Sequence, residues 1–184
     1  MVGCGPARAD GVTLILLVGG ARSGKSALAL RLAERERAPV VFVATGEAGD
    51  DEMAARIARH RAERPAGWRT VEEPLDLGRA LAEVEDDACV LVDCLSLWTA
   101  NVLERHGADA VEEQAEAVAA AAARRAGLTI AVTNEVGLGI VPSTPLGREY
   151  RDVLGRVNAT WTAAASEAYF VVAGRALRLE QLDV

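Results

Sequence analysis

The chain has 184 residues, and since a domain averages about 150 residues we expect a single domain. Fifty-one per cent of the residues are hydrophobic and 26 per cent are charged, a mixture that argues against a disordered or collagen-like chain. There are 20 basic and 27 acidic side chains, so the net charge is −7. This excess of acid disfavours a broad nucleic-acid or anionic-membrane surface, and we expect no nucleic-acid partner.

The cysteines, histidines and apolar runs bear on the compartment. The three cysteines form no CxxC pair, and two histidines are too few for a convincing structural zinc site. The longest apolar run near the start, residues 12–18, is far shorter than the ~20 residues of a membrane span, and no cleavage site follows it. We therefore predict a cytoplasmic protein without a membrane span.

Along the chain, short apolar runs typical of strands alternate with segments whose apolar residues have helical spacing. Residues 1–11 lack periodicity and are interpreted as a loose tail, which leaves 12–184 as the single domain. The pattern predicts, in order, a strand at 12–18, a helix at 26–37, a strand at 40–44, a helix at 50–64, a strand at 68–71, a helix at 75–85, a strand at 89–93, two helices within 95–126, a strand at 128–133, a Gly/Pro-rich loop at 134–147, a helix at 148–166 and strands at 169–173 and 176–180. This alternation favours an α/β fold with a mostly parallel sheet and helices on both faces.

A glycine-rich turn between the first strand and the first helix satisfies the phosphate-loop pattern GxxxxGK[ST]. Its residues are Gly19, Gly20, Ala21, Arg22, Ser23, Gly24, Lys25 and Ser26. In such a loop backbone N–H groups surround the phosphates, Lys25 reaches the β- and γ-phosphates, and the Ser26 hydroxyl ligates Mg²⁺. The alternative is a turn that matches by chance. The flanking elements disfavour it, as does the fact that Lys25 is the only lysine among 20 basic residues.

The strand at 90–93 ends in a carboxylate, Asp93. Many strands end in aspartate merely to cap the next helix, and residues 94–96 could begin one. Beside a phosphate loop, such a carboxylate is the usual second partner of Mg²⁺. We therefore predict that Ser26 and Asp93 hold the metal.

The predicted helix at 50–64 carries a basic stripe. Arg56, His60 and Arg64 fall at i, i+4 and i+8, so the histidine lies between two guanidinium groups that would attract phosphate. Neighbouring positive charge also favours the neutral imidazole that a nitrogen nucleophile requires. Taken alone, the pattern is still more typical of a solvated surface histidine. His106 has no such setting.

Four blocks of sequence carry a family resemblance. They are GGARSGKS at 19–26, FVATGEAGDDEMAARIARHRAERPAGWRTVEEP at 42–74, VLVDCLSLW at 90–98 and VTNEVGLGIVPSTPLGREYRDVLGRVNATW at 132–161. Together they resemble the bifunctional adenosylcobinamide kinase/adenosylcobinamide-phosphate guanylyltransferases of cobalamin biosynthesis, over roughly 20–175. The resemblance implies a P-loop NTPase-like fold and a homotrimer. It also implies ATP and GTP as substrates with Mg²⁺, and adenosylcobinamide as the corrinoid partner.

In that family GMP passes from GTP to the corrinoid phosphate through a guanylylated histidine, and the resemblance makes His60 this nucleophile. Some members have two adjacent histidines, whereas this chain has Arg59 before His60. The nucleotide contacts implied outside the phosphate loop are Thr45, Gly46, Arg61, Arg64, Pro65, Glu72 and Asp93. Without the family, an ordinary turn would explain Thr45 and Gly46, and a solvated strand end would explain Glu72.

Two other functions compete with this interpretation. One is a P-loop small-molecule kinase, in which the basic helix clamps an acceptor and His60 forms no covalent bond. The other is a regulatory GTPase, which the sequence disfavours because an NKxD guanine-reading motif needs a second lysine. The glycines and prolines at 134–147 predict a shaped rather than floppy loop, whose role does not follow from its chemistry; one interpretation is that it lines the corrinoid site.

Overall fold

The computed structural model describes residues 11–62 and 64–180. Most of the predicted tail, residues 1–10, therefore lies outside the described residues. The elements within the described ranges are, in chain order, β1 Leu14–Gly19, α1 Lys25–Ala33, β2 Val40–Ala44, α2 Asp51–Ala62, β3 Arg69–Glu72, α3 Leu77–Ala82, β4 Cys89–Asp93, α4 Leu95–His106, α5 Ala108–Arg124, β5 Thr129–Asn134, α6 Pro145–Ala164, β6 Glu167–Val172 and β7 Arg175–Leu179.

All of these strands join one sheet in the order β3-β2-β4-β5-β1-β6-β7. Every neighbouring pair is parallel except β6 and β7, which form an antiparallel hairpin. The predicted mostly parallel α/β sheet is confirmed. None of the described helices is both long and apolar enough to cross a membrane.

Two apolar clusters cover the two faces of the sheet. Alternate residues of β1 enter different clusters: Leu14 and Leu16 pack with helices α3 to α6, and Leu17 packs with α1. Strand β1 is buried along its whole length, which is why its sequence is a continuous apolar run rather than an alternating one. Helices therefore lie on both faces, as the sequence predicted.

Local capping explains where two helices, α3 and α6, begin at residues other than those predicted. Helix α3 begins at Leu77 rather than at 75, because the Asp76 side chain accepts a hydrogen bond from the Arg79 N–H at 2.9 Å. Helix α6 begins three residues earlier than predicted. There Thr144 accepts from the Gly147 N–H at 3.1 Å, and Pro145 occupies the first turn, where a proline costs no hydrogen bond.

The carboxyl ends of the parallel strands form the edge at which ligands of α/β sheets bind. Strand β5 lies between β4 and β1 in the sheet, so its end at Asn134 is flanked by Asp93 on one side and Gly19 on the other. The phosphate loop, the candidate metal carboxylate and the loop after β5 therefore emerge at one edge.

Candidate active site

The predicted phosphate loop leaves β1 and enters α1, as its motif requires. A side chain at Gly19 would overlap the carbonyl of Val171 on the neighbouring strand, so only glycine fits where the loop begins. Gly24 caps α1 with φ 98°, a left-handed conformation that favours glycine. The spacing of the two glycines therefore has a steric basis in this fold.

Lys25 is buried at the start of α1, and its Nζ donates a hydrogen bond to the Gly20 carbonyl at 3.0 Å. The ammonium therefore lies inside the phosphate loop, next to backbone groups that would also bind the phosphates. The buried hydroxyl of Ser23 has no hydrogen-bond partner among the described residues. An orphaned donor in a phosphate loop fits an anionic ligand, because such a hydroxyl otherwise pays the cost of burial.

The donor set at this edge fits Mg²⁺ held jointly by protein and phosphate. The Ser26 hydroxyl is half-buried at the start of α1, and the Asp93 side chain is 12% exposed at the end of β4. Among the described residues no cluster of three His, Cys, Asp or Glu side chains could hold a metal by itself. Mg²⁺ commonly takes one or two protein oxygens and completes its shell with phosphate oxygens and water, so two donors suffice.

Thr45 fastens the end of β2 to the turn after β4. Its fully buried Oγ1 donates to the Cys94 carbonyl at 2.7 Å and accepts from the Cys94 N–H at 2.8 Å. The Thr45 N–H in turn donates to the Asp93 carbonyl at 3.3 Å. Both hydrogen bonds of this hydroxyl are therefore made within the protein. Its place in the site is to hold the backbone that carries Asp93.

Helix α2 places His60 over the end of β4. The imidazole Nδ1 lies 3.4 Å from Asp93 Oδ2, and the two side chains are 28% and 12% exposed. The helix begins where Asp50 accepts from the Met53 N–H at 2.7 Å, as its acidic first turn suggested. The histidine is therefore not the solvated surface residue that its sequence pattern alone favoured.

The prediction that Arg64 continues the helical stripe of Arg56 and His60 is wrong. Helix α2 ends at Ala62, so Arg64 lies beyond the helix, where its guanidinium stacks 3.7 Å from the ring centroid of Phe42. Burial lowers the pKa of Arg64, and the nearby Asp93 carboxylate raises it in part. The side chain of Arg56 lies outside the described part of the chain.

A cavity of about 550 Å³ opens between α2, α4 and the ends of β2 and β4. Six predicted site residues line it: Gly46, His60, Arg61, Arg64, Glu72 and Asp93. Arg61 and Glu72 form an ion pair across its rim. The predicted contact Pro65 lies outside the lining, where its carbonyl accepts from the Trp68 N–H. The cavity thus gathers an imidazole, two guanidinium groups and the carboxylates of Glu72 and Asp93.

Sequence reasoning missed the residues that support this cavity. Asn101 Nδ2 donates to the carbonyls of Thr45 at 2.9 Å and Pro74 at 3.2 Å, which ties α4 to the ends of β2 and β3. The Cys94 thiol is buried and its pKa is raised by that burial and by Asp93, while Lys25 acts in the opposite direction. No spacing within the sequence marks Asn101, because its partners lie 56 and 27 residues away.

A phosphate loop, a strand-terminal carboxylate and a mostly parallel sheet define a P-loop NTPase-like nucleotide-binding protein. Among solved structures, the chain is similar to a prototypical ATPase from the type III secretion system of pathogenic bacteria, with a TM-score of 0.52 and 13% identity. The match covers 87% of this chain and spans about half of that one, 51%. At this identity the likeness concerns the fold alone.

Sequence comparison is more specific. The model of the cobinamide kinase/cobinamide phosphate guanyltransferase family matches residues 15–179. The chain is 45% identical over 166 residues to the bifunctional adenosylcobalamin biosynthesis protein CobP of Pseudomonas aeruginosa, with 90% of this chain and 96% of that protein covered. It is 39% identical over 181 residues to the corresponding protein CobU of Escherichia coli, with 91% and 99% covered. The chain belongs to this family, which confirms the resemblance.

Proposed function

We propose that this bifunctional cobinamide kinase/cobinamide phosphate guanylyltransferase carries out its second reaction through a covalent guanylyl-histidine at His60. Family membership supplies the two activities. The observation that carries the covalent step is the position of His60, whose Nδ1 lies 3.4 Å from Asp93 Oδ2 in the wall of the cavity beside two guanidinium groups. A plain P-loop kinase has no need of an oriented imidazole at this place.

In the kinase reaction the phosphate loop binds the nucleoside triphosphate, for which we propose ATP or GTP. The acceptor hydroxyl oxygen forms a bond to the γ-phosphorus and gives up its proton to solvent, and the bond from that phosphorus to the bridging oxygen of the diphosphate breaks. Lys25 holds the β- and γ-phosphates and offsets the charge that moves onto the leaving group. Ser26 and Asp93 are the residues that would hold Mg²⁺, which supplies further charge neutralisation when bound.

In the guanylyl transfer, His60 attacks the α-phosphorus of GTP and the bond to pyrophosphate breaks. The phosphate oxygen of cobinamide phosphate then attacks the same phosphorus, which frees the imidazole and yields cobinamide-GDP. Since Nδ1 faces Asp93, Nε2 is the nitrogen left to act as nucleophile, and the carboxylate favours the tautomer that leaves Nε2 unprotonated. Arg61 and Arg64 line the same cavity and would pair with the departing phosphates.

Intact-mass spectrometry after incubation with GTP and Mg²⁺ tests the covalent step. We expect one GMP adduct on the wild type, lost in acid and stable in base as a phosphoramidate is, and none on His60→Ala. That variant should keep phosphorylation of cobinamide. His106→Ala is the matched control, because this second histidine ends α4 and has no proposed role. A plain P-loop kinase would show no adduct on any of the three proteins, and a label retained by His60→Ala would place the intermediate elsewhere.

We also propose, from the family resemblance, that the enzyme is a cytoplasmic homotrimer. Light scattering on the eluting peak of a sizing column measures the number of copies directly. A mass of one or two chains at the concentrations used for activity would contradict the trimer, and recovery of the activity with membranes after cell fractionation would contradict the location.

A further inference from the structure

The loop between β5 and α6, residues 135–144, exposes large apolar side chains to solvent. Leu138 is 81% exposed, Ile140 97% and Val141 61%, and Leu146 in the first turn of α6 is 65% exposed. The other exposed large apolar side chains among the described residues lie on the neighbouring β6–β7 hairpin. Large apolar side chains exposed close together in sequence on one loop indicate an interaction or ligand-binding surface.

Hydrogen bonds at both ends hold the loop in a defined shape. At its start the Glu135 carboxylate accepts from the Leu138 N–H at 3.0 Å. At its end Arg148 Nη1 donates to the carbonyls of Pro142 at 3.0 Å and Ser143 at 2.9 Å. The apolar tip at 138–141 is therefore presented on an ordered support, which lowers the entropic cost of binding a ligand there.

The loop also stands between the two reaction centres. Its first residue donates a backbone hydrogen bond from Glu135 N–H to the Gly19 carbonyl, at 3.2 Å, where the phosphate loop begins. On the other side Asn134 N–H donates to Ser96 Oγ at 3.3 Å, in the first turn after the strand that carries Asp93. The loop therefore leaves β5 between its two sheet neighbours. One neighbour, β1, leads into the phosphate loop, and the other, β4, carries Asp93 of the Asp93–His60 pair.

We propose that Leu138, Ile140, Val141 and Leu146 form the docking surface for the apolar face of the corrinoid acceptor, an inference that rests on the proposed function. A corrin is a broad macrocycle with a methyl-bearing, largely apolar body and polar amides at its rim. The reacting hydroxyl stands on a flexible arm. A macrocycle held on this loop can offer the arm first to the phosphate loop and then, as its phosphate, to guanylylated His60 without leaving the enzyme.

A groove of about 320 Å³ beside the loop has room for a side arm of the same ligand. Leu138 and Phe170 form its apolar walls, and Glu135, Asn158 and Thr162 place polar atoms along it. This mixture of apolar wall and a few polar groups is typical of small-molecule sites. The side chains of Asn158 and Thr162 already bond within the protein, to Thr133, to the Asn134 carbonyl and to the Asn158 carbonyl. The groove therefore offers a side arm of the macrocycle chiefly an apolar wall beside the Glu135 carboxylate.

Ile140→Ser tests the proposal, because it removes the most exposed of the large apolar side chains among the described residues without touching the phosphate loop or His60. Burying an isoleucine side chain contributes enough free energy that we expect the Kd and KM for cobinamide to rise about tenfold or more. The KM for the nucleotide and the extent of guanylylation by GTP alone should stay at wild-type values, which also verifies folding. Val141→Ser should act in the same direction. Leu177→Ser on β7, 64% exposed, is the matched control and should bind cobinamide normally.

Binding is measured by equilibrium dialysis with the corrin absorbance, so it does not depend on turnover. An unchanged Kd in both Ile140→Ser and Val141→Ser would overturn the proposal. A change in the number of copies, seen by light scattering with Ile140→Ser, would assign the patch to a second copy of this chain and would overturn it as well. If the wild type forms no GMP adduct, the covalent mechanism is refuted. The dialysis result still decides separately whether the loop binds cobinamide.

Discussion

Replacing Thr45 by valine isolates one buried hydroxyl that holds the active-site backbone. The exchange keeps the shape of the side chain and removes the atom that donates to the Cys94 carbonyl at 2.7 Å and accepts from its N–H at 2.8 Å. The Cys94 N–H then loses its partner in a buried place, at about 1–3 kcal/mol. The Cys94 carbonyl keeps its bond from the Trp98 N–H at 3.2 Å, so it contributes less to the loss. The added methyl group returns about 0.8 kcal/mol of burial. We expect the free energy of unfolding to fall by about 1–3 kcal/mol.

Thr99 provides a matched control for this experiment. It is also fully buried, but its hydroxyl has no hydrogen-bond partner among the described residues. Thr99→Val should therefore leave the free energy of unfolding unchanged or raise it by up to about 1 kcal/mol. Urea titration followed by circular dichroism measures both variants.

The comparison between the two variants decides the argument. Equal destabilisation of Thr45→Val and Thr99→Val would show that the Cys94 hydrogen bonds contribute nothing specific. We also expect Thr45→Val to slow guanylylation by GTP, since the turn it releases carries Asp93. A variant that loses stability yet labels at the wild-type rate would show that the turn does not position the carboxylate.

Three further predictions concern other parts of the molecule. Lys25→Ala should abolish nucleotide use while circular dichroism shows an intact fold, and near-normal kinase turnover would refute the phosphate-loop assignment. Arg125→Met should lower the free energy of unfolding by about 3 kcal/mol or more, because the guanidinium donates to four backbone carbonyls, those of Leu81, Val84, Glu85 and Ala88. Burial raises the pKa of Tyr150 to about 12, so the folded state keeps its phenol proton longer than the unfolded state and stability should fall as pH rises from about 10 to 12. Tyr150→Phe should weaken that dependence in alkaline urea titrations, and an identical pH profile would contradict the assignment.

The sequence predicted the elements well wherever apolar runs had clear limits. Strands β2 and β4 have the bounds expected from residues 40–44 and 89–93, because in each the first four residues form a buried apolar run. Helix ends were harder. Helix α1 stops at Ala33 instead of 37, where the N–H of Arg35 and that of Glu36 each bond back three residues in a tightening turn. Such a change depends on a few backbone bonds and leaves no mark in the hydrophobic pattern.

Contacts between distant residues could be inferred only in part. The motif identified Lys25 and the strand end identified Asp93, since both signals are local. The approach of His60 to Asp93 and the bonds of Thr45 to Cys94 join residues far apart in the sequence. They depend on β2 and β4 being neighbours in the sheet, and hydrophobic periodicity does not report strand order. For that reason the resemblance, and not the residue pattern, first raised His60 above an ordinary surface histidine.

The strand order also explains how one small domain can serve two phosphoryl chemistries. The end of β4 carries Asp93, which faces His60 on one side, and β5 separates it from the phosphate loop on the other. In the proposed mechanism this single carboxylate contributes to the metal site of the kinase reaction and orients the nucleophile of the guanylyl transfer. A carboxylate oxygen engaged with a metal ion is a weaker acceptor for an imidazole N–H. If the proposed mechanism holds, we therefore expect the two reactions to alternate at this edge of the sheet rather than to run at the same time, with the acceptor held at the proposed docking surface between them.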